Sequence, residues 1–152
     1  MKYFLLAILL IPVFGTVTAQ GTTIIPKPTE VTISQGEPGF AINKNTVIVT
    51  DITFSSDAVI LATYLNKLTG FVIPVKRGDI KLSSSKTIIL FKQDISDEIP
   101  QEGYLMSVSG KEIKIRASHS AGAYYGCMSL LQATVHSSNS NRFVVPAMQI
   151  ED

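Results

Sequence analysis

The side chains in this sequence that could carry chemistry are few and scattered. There are two histidines, His119 and His136, and one cysteine, Cys127. On one continuous helix His119 and Cys127 would stand ~12 Å apart along the axis, too far to share an ion bound at ~2 Å. No tight ligand spacing is present, so no metal site is predicted. His119 falls at a helix start and is expected to be a surface or capping residue. His136 lies in a Ser/Asn-rich stretch and is expected to be solvated. Cys127 sits in an apolar run and reads as a small buried side chain rather than a nucleophile. Asp94, Asp97 and Glu98 form an acidic cluster, but without the alternating oxygen ligands and turn glycine of a calcium loop. Glu151 and Asp152 are adjacent carboxylates at the end of the sequence and are not taken as a catalytic pair. There is no Gly-rich phosphate loop and no nucleophile elbow. The residues therefore predict no catalytic site, no cofactor site and no cofactor.

The first residues read as an export leader. Lys2 supplies a positive start, Phe4 to Val13 is apolar apart from Pro12, and Val17-Thr18-Ala19 offers small residues for cleavage. The cut is expected after Ala19, sending the rest to the periplasm or outside the cell. The apolar run is well short of the ~20 residues of a spanning helix, so no stable membrane insertion is expected after cleavage. Without Lys2, the remaining 12 basic and 12 acidic side chains balance, which gives nucleic acid nothing to grip. A lone cysteine excludes an internal disulfide framework, so a packed core must hold the fold.

The elements expected to position these residues follow from pattern. Short β-prone runs occur at Thr22 to Ile25, Val31 to Ile33, Phe40 to Ile42 and Val47 to Val49. Ser55 to Thr69 is the first predicted helix, capped by Ser55 or Ser56, with Asp57 in its first turn and Gly70 as its stop. Ala58, Leu61, Ala62, Leu65 and Leu68 fall on one face. Phe71 to Val75 and Thr87 to Phe91 are the next strands, the second continuously apolar and so central and covered on both faces. Tyr104 to Val108 and Glu112 to Arg116 flank Ser109-Gly110-Lys111 as a hairpin. A second helix runs from Ser118 or Ser120 to Ala133, followed by a polar loop, His136 to Arg142, and an extended stretch, Phe143 to Ile150. This order predicts an α+β fold: a largely antiparallel or mixed sheet with two helices on one face.

The second helix is unusual. From Ala117 to Asn141 there is no Asp, Glu, Lys or Arg. Ser118, Gly122, Gly126, Ser129 and Ala133 make a face of small residues. Ala121, Tyr124, Met128, Leu131 and Val135 make a larger apolar one. A helix apolar on all sides is a buried helix. Either the sheet alone buries it, or a domain this small leaves one face for something else to cover.

Five segments in order carry a family resemblance over about residues 22 to 152. Ile24-Ile25-Pro26-Lys27-Pro28 after a leader resembles the opening of glycoside hydrolase family 20 proteins. Leu65-Asn66-Lys67-Leu68-Thr69-Gly70 is similar to the end of that domain's first helix. Glu102-Gly103-Tyr104 with Ile113-Lys114-Ile115, then Ala121-Gly122-Ala123-Tyr124-Tyr125-Gly126 with Leu130-Leu131-Gln132, resemble its second half. Val145-Pro146-Ala147-Met148-Gln149-Ile150-Glu151-Asp152 is similar to the strap leading into the catalytic barrel. Beyond the leader read over 1–19, the resemblance implies that 20–152 is the zincin-like N-terminal domain of a secreted β-N-acetylhexosaminidase that removes terminal N-acetylhexosamine from glycans. Its substrate-assisted acids would lie in a (β/α)₈ barrel that this chain stops short of, so no site residue is carried over. The barrel would dock on the helix around Ala121 to Leu131, and this domain would be inactive alone, meeting glycan only through the barrel.

Two other readings stand beside it. α-Glucuronidases and α-N-acetylglucosaminidases carry a related N-terminal domain, although the Ile-Ile-Pro-Lys-Pro opening favours family 20. A stand-alone carbohydrate-binding or structural module would need exposed aromatic platforms. There is no tryptophan, and Tyr64, Tyr104, Tyr124 and Tyr125 read as core.

Overall fold

The computed structural model describes residues 23–78, 87–92, 98–137 and 142–152. The leader expected over residues 1–19, its cut after Ala19, and the acids Asp94 and Asp97 lie outside them.

Among the described residues, ten strands and two helices follow in the order β1 (Glu30–Ile33), β2 (Phe40–Ile42), β3 (Val47–Thr50), α1 (Ser55–Thr69), β4 (Val75–Arg77), β5 (Thr87–Lys92), β6 (Tyr104–Val108), β7 (Glu112–Ala117), α2 (Ser120–Ala133), β8 (Val135–Ser137), β9 (Arg142–Val145) and β10 (Met148–Glu151). A seven-stranded sheet runs β1-β10-β6-β7-β5-β3-β4, and a three-stranded one runs β2-β9-β8. The β1, β10, β6 and β7 strands pair antiparallel. From β7 through β5 and β3 to β4 the pairing is parallel. The domain is α+β with a mixed sheet, as the element order predicts.

Alternation decides what each strand buries. In β7, Ile113, Ile115 and Ala117 are buried, while Glu112, Lys114 and Arg116 point to the other side and are half-buried. The hairpin partner β6 buries Tyr104, Met106 and Val108 on the same side. Both helices cover this side, α2 over β6 and β7 and α1 over β3 and β4, and they touch each other. Phe40, Ile42 and Val145 of the small sheet join the same core.

Several boundaries differ from the sequence reading, each for a physical reason. Of the two forms that the prolines after Thr22 to Ile25 allow, an edge segment or an entry strap, residues 23–25 take the strap, which enters a cis Ile25–Pro26 bond. Of the fifth predicted strand, Phe71 to Val75, only Val75 lies in a strand, at the start of β4, which runs on to Arg77 beside β3. The approach to it is held instead by Asn66, whose Oδ1 accepts from the Ile73 N–H at 2.8 Å. β5 is central in order, yet one side is only half-buried, with the Arg116 guanidinium 6.0 Å from the centroid of the Phe91 ring. Val135, expected on the larger face of α2, and His136 and Ser137, expected in a loop, lie beyond the end of that helix in β8 and pair with β9. The final stretch is two strands in two sheets, parted at Pro146-Ala147.

The start of α1 is capped from outside the helix. Neither Ser55 nor Ser56 caps it. Asp51 Oδ1 accepts the Phe54 N–H at 2.9 Å, and the Ser55 hydroxyl donates back to the Asp51 carbonyl. Gly70 ends the helix as predicted, at φ 75°, a left-handed conformation that costs a residue without a side chain little. Ala58, Leu61, Ala62 and Leu65 form the buried face, but Leu68 at its end is 45% exposed.

Candidate functional site

α2 presents its two faces to different surroundings. Its small face is pressed onto the sheet: Gly122, Ala123, Gly126, Ser129 and Ala133 are buried. A Cβ on Gly126 would stand 2.7 Å from Ile115 Cγ2 and 3.1 Å from the Tyr104 ring, and one on Gly122 would collide with the Gly103 carbonyl. Each glycine costs the helix ~1 kcal/mol of propensity relative to alanine, and close approach to β6 and β7 offsets that. The sheet therefore accounts for one face of α2 and leaves the other.

The larger face stays in contact with solvent. Tyr124 and Tyr125 are 38% and 40% exposed, and Met128 and Leu131 are half-buried. α1 adds a second stripe at four-residue spacing: Ile60, Tyr64 and Leu68 are exposed. Three tyrosines read as core from sequence, Tyr64, Tyr124 and Tyr125, are thus surface residues, and only Tyr104 is core. The Tyr124 and Tyr125 rings meet edge-on, 6.0 Å apart and inclined at 62°, so they form no flat platform. The α1 stripe was missed because Ser55 to Thr69 has apolar residues on more than half its circumference. Periodicity then ranks faces without saying which one the sheet takes.

Beside the outer face of α2 lies a cleft of about 280 Å³ between the Ile25-Pro26 strap and Tyr125 and Met128. Gln132 fixes the strap twice, accepting from the Ile25 N–H at 2.9 Å and donating to the Ile25 carbonyl at 3.0 Å. Glu102 and Asp152 stand at its rim, and the Asp152 carboxylate accepts the Thr29 N–H at 3.0 Å. At its floor the Tyr104 and Ser129 hydroxyls share a buried 2.6 Å hydrogen bond. Burial pushes the Tyr104 phenol up, the bond to Ser129 pulls the other way, and the Asp152 charge adds to the rise.

The residues singled out for chemistry are not brought together. Cys127 is fully buried, and burial with the nearby Asp57 charge pushes its thiol up to about 12, so it is a neutral packing residue at ordinary pH. His119 precedes α2 without capping it, its Nδ1 lying 3.0 Å from the Ser118 hydroxyl on the surface. His136 is not a loop residue but lies on β8, with its ring 4.8 Å from that of Phe143. Glu98 is exposed. Glu151 belongs to β10, and Asp152 pairs its backbone with Tyr104. Among the described residues no three of His, Cys, Asp and Glu are grouped to hold a metal, and no helix is long and apolar enough to cross a membrane.

Residues 21–152 match the model of the family described as glycosyl hydrolase family 20, domain 2. A β-hexosaminidase of Porphyromonas gingivalis is 27% identical over 139 residues, which are 88% of this chain and 17% of that protein. The chain thus spans about a sixth of the length of this curated relative. Two solved structures share the fold. The family 20 exo-β-N-acetylglucosaminidase of Vibrio harveyi superposes with a TM-score of 0.68 at 22% identity, over 85% of this chain and 18% of that one. The N-acetyl-β-hexosaminidase of Streptomyces plicatus superposes with a TM-score of 0.64 at 25% identity, over 85% and 26%.

Proposed function

From the premise that this chain belongs to the glycosyl hydrolase family 20, domain 2 family, we propose that it is the non-catalytic support domain of a secreted β-N-acetylhexosaminidase. In this reading the hydrolysis of terminal N-acetylhexosamine is done by a catalytic barrel of the same polypeptide, and this domain braces it. The observation that carries the reading is the split character of α2. Its glycine face is consumed by the sheet, while Tyr124, Tyr125, Met128 and Leu131 remain on the surface of a helix without a single charge. Exposing such a face to water costs roughly 25 cal/mol per Å² of apolar surface, and a docked domain removes that cost. Ile60, Tyr64 and Leu68 of α1 are a further exposed apolar stripe, and the cleft beside Pro26 gives the α2 face relief. The leader over residues 1–19, cut after Ala19, is the export half of the proposal.

Three measurements test it. The pure chain is expected to turn over no chromogenic N-acetylglucosaminide, and measurable turnover would refute the non-catalytic role. It is expected to bind an apolar-surface dye through the α1/α2 face. A monodisperse monomer that binds none would remove the docking surface. Mass spectrometry of the exported protein is expected to find Gln20 at its N-terminus, and a protein beginning at Met1 would overturn the leader.

A further inference from the structure

The side of the large sheet away from the helices is not an undifferentiated wet face. Register places Glu30 opposite Glu151, Glu151 opposite Leu105, Leu105 opposite Arg116, and Arg116 beside Phe91. Two residues along each strand, Thr32, Gln149, Ser107 and Lys114 form a second row. Neighbours within a row are ~4.8 Å apart and the rows roughly 7 Å apart. Over β1, β10, β6 and β7 they bound an open groove of about 420 Å³, within the size range of small-molecule sites.

We propose that this groove binds a neutral glycan chain. Its charges are unevenly placed: two carboxylates stand at the β1/β10 end, and at the β7 end stands the Arg116 guanidinium, beside a Lys114 ammonium already paired with Glu112 at 2.6 Å. Glu30 and Glu151 are like charges directly opposite one another, an arrangement that destabilises a sheet. Neither has a cation beside it among the described residues. Sugar hydroxyls can donate to those carboxylates and accept from Arg116, while the Thr32 and Ser107 hydroxyls and the Gln149 amide do both. Leu105, half-buried between the two ends, gives the carbon face of a pyranose ring something apolar to lie on.

Other occupants fit less well. Opposite charges at the two ends repel one end of any polyanion or polycation. A protein partner would want an apolar, charge-depleted centre, and here one leucine is ringed by polar groups. The narrower class, chains of N-acetylhexosamine, rests on the proposed function and not on the groove.

The test is a ¹⁵N-¹H correlation titration of the full chain with chitotetraose, with cellotetraose run in parallel. Shifts are expected to concentrate at Leu105, Ser107, Arg116, Gln149 and Glu151. Gln149→Ala and Glu151→Gln, each with an otherwise unchanged spectrum, are expected to weaken binding about tenfold. Neither substitution touches the core, so loss of binding would not report unfolding. No shift with either sugar at 10-millimolar concentration (about the weakest useful affinity) would overturn the groove. So would shifts confined to α2, or signals of this face that move with protein concentration alone, which would make it a contact between copies. A response to cellotetraose without chitotetraose would uphold the groove and overturn the N-acetylhexosamine class, while the turnover and dye-binding measurements test the proposed function separately.

Discussion

Ser120, the first residue of α2, donates a 2.7 Å hydrogen bond to Asp57 Oδ2 in the first turn of α1. The two helices are thereby tied at their N-terminal ends, and Asp57, only 4% exposed, is a carboxylate with its donor supplied across the helix pair. It also sits where the α1 dipole favours negative charge. Removing the hydroxyl leaves a buried charge short of a partner, at a cost of about 1–3 kcal/mol. Ser120→Ala is expected to lose that much in urea unfolding. Asp57→Asn, which keeps an acceptor for Ser120, is expected to lose less than Asp57→Ala.

The glycine face of α2 makes a prediction opposite in sign to helix propensity. Gly126→Ala would gain ~1 kcal/mol of propensity, but its methyl must displace Ile115 Cγ2. Overpacking of that kind costs about 1–3 kcal/mol, so the melting temperature is expected to fall. Gly122→Ala meets the Gly103 carbonyl rather than a movable side chain and is expected to fall further. A rise in either would mean that α2 does not lie this close to β6 and β7.

Alkaline pH is expected to unfold the domain through Cys127. The thiol is pushed up from 9.0 to about 12 in the folded chain, so between those values the unfolded state releases a proton that the folded state keeps. Stability contributed by this group is full below pH 9 and falls as pH rises, by at most ~1.4 kcal/mol per pH unit. The raised Tyr104 phenol acts in the same direction above its ordinary value of 10.0. Cys127→Ala is expected to flatten the loss between pH 9 and 11, measured by urea midpoints across that range.

The outer helix face is expected to be silent in the isolated chain. Tyr125→Lys changes a side chain that is 40% exposed, and surface changes of this sort move stability by no more than about 0.5 kcal/mol. Thermal melting should barely shift, while dye binding should drop. In a protein that includes the proposed barrel, the same substitution is expected to lower the melting temperature. Equal effects in both settings would remove Tyr125 from a docking face.

What could be read along the chain is what depends on neighbours in sequence. Ser55 to Thr69 was legible to the residue because apolar spacing, an acidic first turn and Gly70 act within a few residues. The β6–β7 hairpin was legible because Ser109-Gly110-Lys111 separates an apolar run, Tyr104 to Val108, from an alternating one, Glu112 to Arg116. β8 was not, because Val135–Ser137 has no pattern of its own and is a strand only where β9 lies beside it. The cap of α1 was misplaced for a similar reason: Ser55 and Ser56 are good capping types, but the turn from β3 delivers Asp51 first.

Element types, the α+β class, the uncharged helix and, through five ordered segments, the family are all written in the order of residues along the chain. Only the tertiary structure decided which faces are buried. Periodicity marks a stripe as apolar, yet the stripe chosen by the sheet is the one whose small residues let backbones approach, and that choice leaves Tyr64, Tyr124 and Tyr125 outside. Nor could any local pattern place Glu30 against Glu151, or Leu105 against Arg116. Those neighbours come from strands far apart in the chain, joined by backbone hydrogen bonds whose register is set by the burial of the opposite face.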